Sequence, residues 1–358
     1  MIILRNICTL NKLRQIGFNG QMFMPPGMRL LISLLTILPC GGLSSNALAA
    51  PPAGRDADAV KSVMTGLRTT ANAAWWGFND TNSTVALQAA LCSGARTVIV
   101  PNMNKPWRVD PILLESDQEL VFEPGTVVEA RRGSFMGLGD ALFKAKGKQH
   151  ILIRGHGTIW QMHKEDYVRP PYRKGEWRHG LALLACHDVT VQGLTIARSG
   201  GDGIYVGSGC RDIVVRDVTC EANHRQGISV ISAENLLIER CTLRATQGTS
   251  PQAGIDFEPN YASERLVNCT LRNCVIEDNR GAGVQLYLKN LKRSSRPISI
   301  VIERCRIRGN RWPNVILAKS RGADKPGGTI RFVDCSIGWW RWCEHPEKFT
   351  LEFITTGK

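Results

Sequence analysis

The chain has 358 residues, of which 43% are hydrophobic and 21% charged, with a net charge of +14. Ten of its twelve cysteines follow residue 49, and none forms a C-x-x-C, so a zinc site or thioredoxin-like motif has no support. No block of five like charges marks a basic tail, and no P-loop, dinucleotide fingerprint, His-Glu-x-x-His or G-x-S-x-G is present.

In chain order, residues 1–49 read as a leader. Met28-Arg29 precedes the apolar run "LLISLLTIL", and "ALAA" places Ala47 and Ala49 at cleavage-site spacing. The run is short and broken by Pro39 and Gly41, which suits a secretory signal rather than a membrane anchor. The expectation is a secreted, periplasmic or cell-surface protein with no membrane span once the leader is removed. Losing the leader's four basic residues leaves +10. An exported basic protein fits a polyanion, and acidic polysaccharide is the expected partner; export argues against nucleic acid. A merely basic surface is the plain alternative.

Residues 50–100 read as an N-terminal helical cap and first strand. "ADAVKSVMTGL" and "STVALQAALCSG" have helical periodicity, with Ser83 or Thr84 as N-cap and Gly94 at the C-terminus of the second. Strand "RTVIVP" follows directly. The helix is expected to cover the open end of what comes next.

Residues 101–345 carry a repeat. "ELVFEPGTVVEA" and "HILIRGHGTIW" read as early coils. Six segments then align without gaps: "VQGLTI", "VRDVTC", "IERCTL", "LRNCVI", "IERCRI" and "FVDCSI". Their last residues lie 24, 23, 33, 31 and 30 apart, and Cys241, Cys274, Cys305 and Cys335 share one column. Buried free cysteine behaves as a small hydrophobe, so this column reads as an internal stack rather than a disulfide set. "HGLALL" stands before the first of these segments, and "DGIYVG", "QGISVI", "AGIDFE" and "AGVQLY" between them, with Gly always second and apolar residues third and fifth. The period of two predicts strands with one buried face. The Gly suits a bend or a close backbone approach. Coils of 23–33 residues that bury one face only by stacking predict an all-β solenoid, a right-handed parallel β-helix with an N-terminal capping helix. A leucine-rich repeat and a sandwich are the rivals. "GWWRWCEHPEKF", with Trp339, Trp340 and Trp342, is expected to cover the far end, a sugar-stacking platform being the alternative; residues 346–358 read as a tail.

The stretch 79–101, "NDTNSTVALQAALCSGARTVIVP", resembles the opening of pectate-lyase-superfamily proteins and phage tailspikes. "GHGTIW" and "GGDGIYVGSG" are similar to segments of polygalacturonase-type glycoside hydrolases. The resemblance covers roughly residues 80–345. Asp202-Gly203 stands where polygalacturonases carry paired aspartates, and "NHRQGIS" where they carry Gly-His-Gly, so His224 is the matching histidine. The resemblance implies activity on a polysaccharide.

The Gly-started strands align in columns. Ala182, Tyr205, Ser229, Asp256 and Gln285 form an outward, mostly polar column, in which Tyr205, Ser229, Asp256 and Gln285 are expected to make a sugar-binding groove about 14 Å long, three spacings of about 4.8 Å. Leu184, Gly207, Ile231, Glu258 and Tyr287 form the next outward column. His179, Asp202, Gln226, Ala253 and Ala282 precede the glycines. Asp256 and Glu258 stand two apart on one face, about 6.6 Å, close to the roughly 6.5–9.5 Å between carboxyls of inverting glycosidases. They are the expected catalytic pair, with Asp202 as a third acid and His224 as a candidate base. His179, Tyr205, Arg225, Gln226, Ser229, Gln285, Tyr287 and Lys289 are the expected substrate-binding set, and Lys319 a further uronate contact. Each has a plain alternative: a solvated solenoid rim for the two acids, a turn for Asp202-Gly203, a structural histidine for His224, solvated lysines. Asp202, Asp256 and Glu258 lack a metal-binding spacing, and no metal or cofactor is expected. Hydrolysis of glycosidic bonds in an acidic polysaccharide is the first expectation. β-Elimination by a lyase, with His224 or a lysine as base, and a non-catalytic carbohydrate-binding solenoid are the others.

Overall fold

The computed structural model describes residues 54–318, 326–339 and 349–356. The expected leader, Lys319, Trp340 and Trp342 lie outside these residues.

Two helices come first, α1 (Ala57–Met64) and α2 (Thr84–Leu91). Asp56 caps α1 by accepting from the Ala59 amide at 2.9 Å. Neither Ser83 nor Thr84 caps α2 with its side chain. Ser83 Oγ instead donates to the Asn79 carbonyl at 2.6 Å, and Asn82 Oδ1 accepts from the Thr84 amide at 3.1 Å, so the Asn-rich turn before the helix takes over the capping. Leu87, Ala90 and Leu91 of α2 enter the core cluster. Gln88 hydrogen-bonds both the amide and the carbonyl of Leu113, and Gln118 Nε2 donates to the carbonyls of Leu91 and Ala95. The helix thus closes the first coil, covering groups that a bare sheet end would leave unpaired.

The rest is a parallel solenoid. Eight strands stack into one sheet: β1 (Ile112–Leu113), β2 (Phe143–Lys146), β3 (Leu181–Leu184), β4 (Ile204–Val206), β5 (Gln226–Val230), β6 (Ala253–Phe257), β7 (Val284–Tyr287) and β8 (Val315–Ala318). The other walls of the coils form one bent sheet, also parallel, from Thr70–Asn72 to Phe349–Ile354. Strand Thr70–Asn72 pairs with Thr97–Val100, and that with Gln118–Phe122, so the β-structure begins well before residue 101. At the other end Phe349–Ile354 pairs along Gly328–Val333, and Phe353 stacks on Phe332 at 5.1 Å. The segment read as a tail is therefore in part a further strand, because the edge of Gly328–Val333 offers a full row of backbone partners. Trp339 is 66% exposed; its carbonyl, not its ring, is the group that binds, accepting from the Asn314 amide and side chain.

The six aligned segments are corners rather than single strands. Their third residues, Gly193, Asp217, Arg240, Asn273, Arg304 and Asp334, all have φ between 49° and 78°. For a non-glycine residue this left-handed conformation costs roughly 1–2 kcal/mol. It is offset by rung-to-rung bonds: the Asp217, Arg240, Asn273, Arg304 and Asp334 amides donate to Glu239, Arg272, Glu303, Val333 and Ile354 carbonyls. The residue after each bend turns inward, and Cys241, Cys274 and Cys305 are buried there as free thiols, with Cys335 half-buried. The Cys241 amide donates to Cys274 Sγ at 3.4 Å. The stack is real, and its thiols are unpaired; Cys92, outside the column, is disulfide-bonded.

The glycines at the starts of β3 to β7, Gly180, Gly203, Gly227, Gly254 and Gly283, have ordinary φ. They are required by close approach. A Cβ on Gly227 would lie 2.4 Å from the Gly254 carbonyl oxygen, and one on Gly254 would lie 2.4 Å from Ile276 Cγ2 and 2.8 Å from the Gly283 carbonyl oxygen.

Candidate functional site

The sheet β1–β8 holds the expected register. Ala182, Tyr205, Ser229, Asp256 and Gln285 are direct neighbours on successive strands. Ile255 and Phe257 face the core, so Asp256 faces away from it. Yet Ser229 and Asp256 are fully buried and Gln285 is only 9% exposed. The column is not an open groove floor. The side chains of the neighbouring columns fold over it and bond to it.

Asp256 Oδ2 accepts from Gln226 Nε2 at 3.1 Å and from Gln285 Nε2 at 2.7 Å. Its Oδ1 is buried with no partner. Burial, then the nearby Glu258 charge, push the Asp256 carboxyl well above the ordinary carboxylate range; Arg225 opposes this without reversing it. The fold therefore favours the protonated form of Asp256. Because Oδ2 receives two N–H groups, the proton belongs on Oδ1.

Glu258 is the opposite case. Arg225 grips it in a bidentate pair, Nη1 to Oε1 at 2.6 Å and Nη2 to Oε2 at 2.9 Å. Gln226 Nε2 (3.3 Å) and Ser229 Oγ (3.0 Å) also donate to Oε1. One Gln226 nitrogen thus touches both acids of the expected pair. The space in which an inverting enzyme holds its water between two carboxyls is filled here by that amide. Spacing along an ideal strand missed this, because Glu258 lies past the end of β6 and its direction is set by Arg225.

Asp202 lies between bends at Gly201 and Gly203, fully buried at the entrance of β4, and Gly203 is required there because a Cβ would lie 2.6 Å from the Gly227 carbonyl oxygen. His179 Nδ1 accepts from the Asp202 amide at 3.1 Å and lies 3.2 Å from Asp202 Oδ2. Arg225 Nη1 stands 3.7 Å from Asp202 Oδ1, and neither Asp202 oxygen receives a hydrogen bond. Burial works against the Arg225 charge, but Asp202 and Glu258 outweigh it and raise its pKa. His179 stacks on Tyr205 at 4.6 Å, nearly parallel. Burial, with Asp202 and Glu258 adding to it, pushes the Tyr205 hydroxyl up to about 12.

Two expected members stand apart. His224 hydrogen-bonds Thr249 at 2.8 Å and packs against Gly248, and its amide donates to the Ser199 and Gly201 carbonyls. Burial, then Lys164, lower its pKa. It ties the 245–252 loop to the wall, and no hydrogen bond or ion pair among the described residues joins it to the acids. Lys289 is exposed and sits over the Tyr287 ring at 4.8 Å, at the rim beyond Glu258. One participant was not foreseen. Glu176, in the long connection between Gln161 and Leu181, places Oε1 3.6 Å from Arg225 Nε. An isolated acid in an irregular loop carries no periodic signal that would have pointed to it.

Arg225 therefore gathers Asp202, Glu258 and Glu176, and Asp256 lies buried beside Glu258, joined to it through Gln226. The chain is a right-handed parallel β-helix protein. A family model for the right-handed β-helix region matches residues 173–337. A curated relative, the uncharacterised protein YclG of Bacillus subtilis strain 168, is 23% identical over 218 residues, which span 52% of this chain and 37% of that protein. Among solved structures, a family 28 exopolygalacturonase of Yersinia enterocolitica matches over 80% of this chain and 66% of its own, with TM-score 0.50 and 13% identity. A galactohydrolase acting on a sulfated galactose–anhydrogalactose polymer matches over 83% and 75%, with TM-score 0.50 and 12% identity. At these identities the likeness is one of fold.

Proposed function

We propose that this protein is an exported polysaccharide-active enzyme that hydrolyses glycosidic bonds. Asp256 is the proton donor, Asp202 the base that activates water, and the Arg225–Glu258 pair holds both in place. The observation that carries this is the fully buried Asp256 carboxyl, whose Oδ2 accepts from Gln226 and Gln285, whose Oδ1 has no partner, and whose pKa burial and Glu258 raise. A general acid needs a proton retained near neutral pH and a free direction in which to deliver it. Asp202 supplies the complementary group, a carboxyl whose oxygens receive no hydrogen bond. Glu258, expected as half of the catalytic pair, is a positioning residue in this reading, because four donor contacts occupy its oxygens. The two solved relatives named above act on polysaccharides, which supports the substrate class, and the basic balance of the chain supports a polymer with acidic units. No described helix is long and apolar enough to cross a membrane; export rests on the leader.

A lyase would need a free base, and His224 is engaged by Thr249 while Lys289 lies on Tyr287. The complete burial of Asp202 and Asp256 favours one other reading, a binding solenoid in which the acids are internal polar rungs. Incubation with a panel of acidic and neutral polysaccharides, following reducing ends and ultraviolet absorbance, tests both. New reducing ends without absorbance, reduced by roughly 10²–10⁴ in Asp256→Asn, support hydrolysis. An Asp256→Asn variant as active as the parent removes Asp256 from the chemistry.

A further inference from the structure

The charge at the centre of the site bears on the sugar it accepts, an inference that rests on the hydrolase reading above. Among the described residues, Arg225 is the guanidinium that meets these acids, and its two terminal nitrogens are engaged by Glu258 while its Nε is buried with no hydrogen-bond partner. Glu258 occupies Nη1 and Nη2 in a bidentate pair, Asp202 faces Nη1 at 3.7 Å, and Glu176 faces Nε at 3.6 Å. Its side chain is 15% exposed. The end-on fork of Nη1 and Nη2 is filled by Glu258, and the remaining Nε–H is buried facing a third acid, Glu176. Around it stand three acids against one cation, and Asp256 adds no positive charge in its neutral form. Beyond Tyr205, buried Glu264 contributes another acid, bonded to Ser208 and to the amides of Asn260 and Tyr261. His224 and Lys164 belong to the 245–252 loop side, Lys164 being held by the Gln247 carbonyl at 3.0 Å. Lys289 lies over Tyr287 at the rim, one strand beyond Asp256.

We infer that the sugar unit whose bond is cut is neutral, and that any acidic unit of the polymer sits one step away, over Tyr287 and Lys289. A uronate carboxylate at the centre would be desolvated among like charges with no free cation to pair with it. A neutral pyranose meets none of this. At the part of this column that reaches the surface it finds neutral hydroxyl-matching groups instead: the half-buried Tyr205 hydroxyl and the edge of the Gln285 amide. Described basic side chains elsewhere on the solenoid, such as Arg216 and Arg272 on either side of Glu239, are paired away from the site.

The test uses acidic polysaccharides in matched pairs, each native polymer beside the same polymer with its carboxyls chemically reduced to primary alcohols, together with neutral polymers. The mature chain and Asp256→Asn are assayed side by side for new reducing ends, with circular dichroism to verify folding. The inference expects kcat/KM at least about a hundredfold higher on the reduced or neutral member, a ratio equivalent to about 2.8 kcal/mol. Glu176→Gln, which removes one acid from around Arg225, should narrow that ratio several-fold. Preference for the native uronan, abolished in Asp256→Asn, overturns the neutral-unit inference and leaves the hydrolase standing. Cleavage of neither member of any pair overturns the hydrolase reading and the inference with it.

Discussion

Replacing Asp256 by Asn should change how stability depends on pH, and the sign can be worked from the structure. The ordinary aspartate value is 3.8, and in the fold burial and Glu258 raise it well above that. Below pH 3.8 the carboxyl is protonated in the folded and the unfolded chain, and it contributes no pH dependence. Above 3.8 the unfolded chain releases the proton and the folded chain keeps it, so the unfolded state is favoured by about 1.4 kcal/mol per pH unit. This loss continues until pH passes the folded value. By pH 5 it is already on the order of 1 kcal/mol. Asparagine keeps an oxygen to accept from Gln226 and Gln285, has no proton to release, and so removes this slope. Chemical denaturation followed by circular dichroism at half-unit steps from pH 3.5 to 8 is the assay. The variant should match or fall slightly below the parent near pH 3.5 and overtake it progressively as pH rises. Two stability curves that run parallel across the whole range would show that Asp256 is not held protonated, and the assignment of the acid would fall with it.

Other consequences are as direct. Gly254→Ala sets a methyl against Ile276 and the Gly283 carbonyl oxygen, backbone that cannot move without disturbing the next coil; a loss of roughly 2–4 kcal/mol, or failure to accumulate folded protein, is expected, and a thermal midpoint equal to the parent's would refute the close-approach argument. Glu258→Gln leaves the buried Arg225 with a weaker partner and should cost about 2–4 kcal/mol while lowering activity through misplaced acids; calorimetry and the reducing-end assay read the two effects separately. Cys241, Cys274 and Cys305 should resist a thiol reagent in the native protein and react only in denaturant, which mass spectrometry of labelled peptides can follow; rapid labelling of the folded chain would contradict an internal stack.

Much of the fold was legible in the sequence because a solenoid repeats itself. The alternation in "AGIDFE" and "QGISVI" specified buried and outward faces, and the constant Gly before them marked where coils touch. The aligned cysteines announced an inward column. The same repetition hid the corners: "IERCTL" looks like a strand, and only the tertiary structure shows that Arg240 bends the chain there and is rewarded by a bond from its amide to the next coil. The sequence also named most of the residues now gathered at the site, Asp202, Arg225, Gln226, Asp256 and Glu258 among them, because they fall in register on successive strands. It could not assign their roles. Whether Asp256 keeps its proton depends on burial and on the Glu258 charge, and whether Glu258 is free depends on the reach of Arg225 from a neighbouring coil. Those are properties of distances between rungs, set by side chains 30 residues apart, and one-dimensional spacing does not contain them.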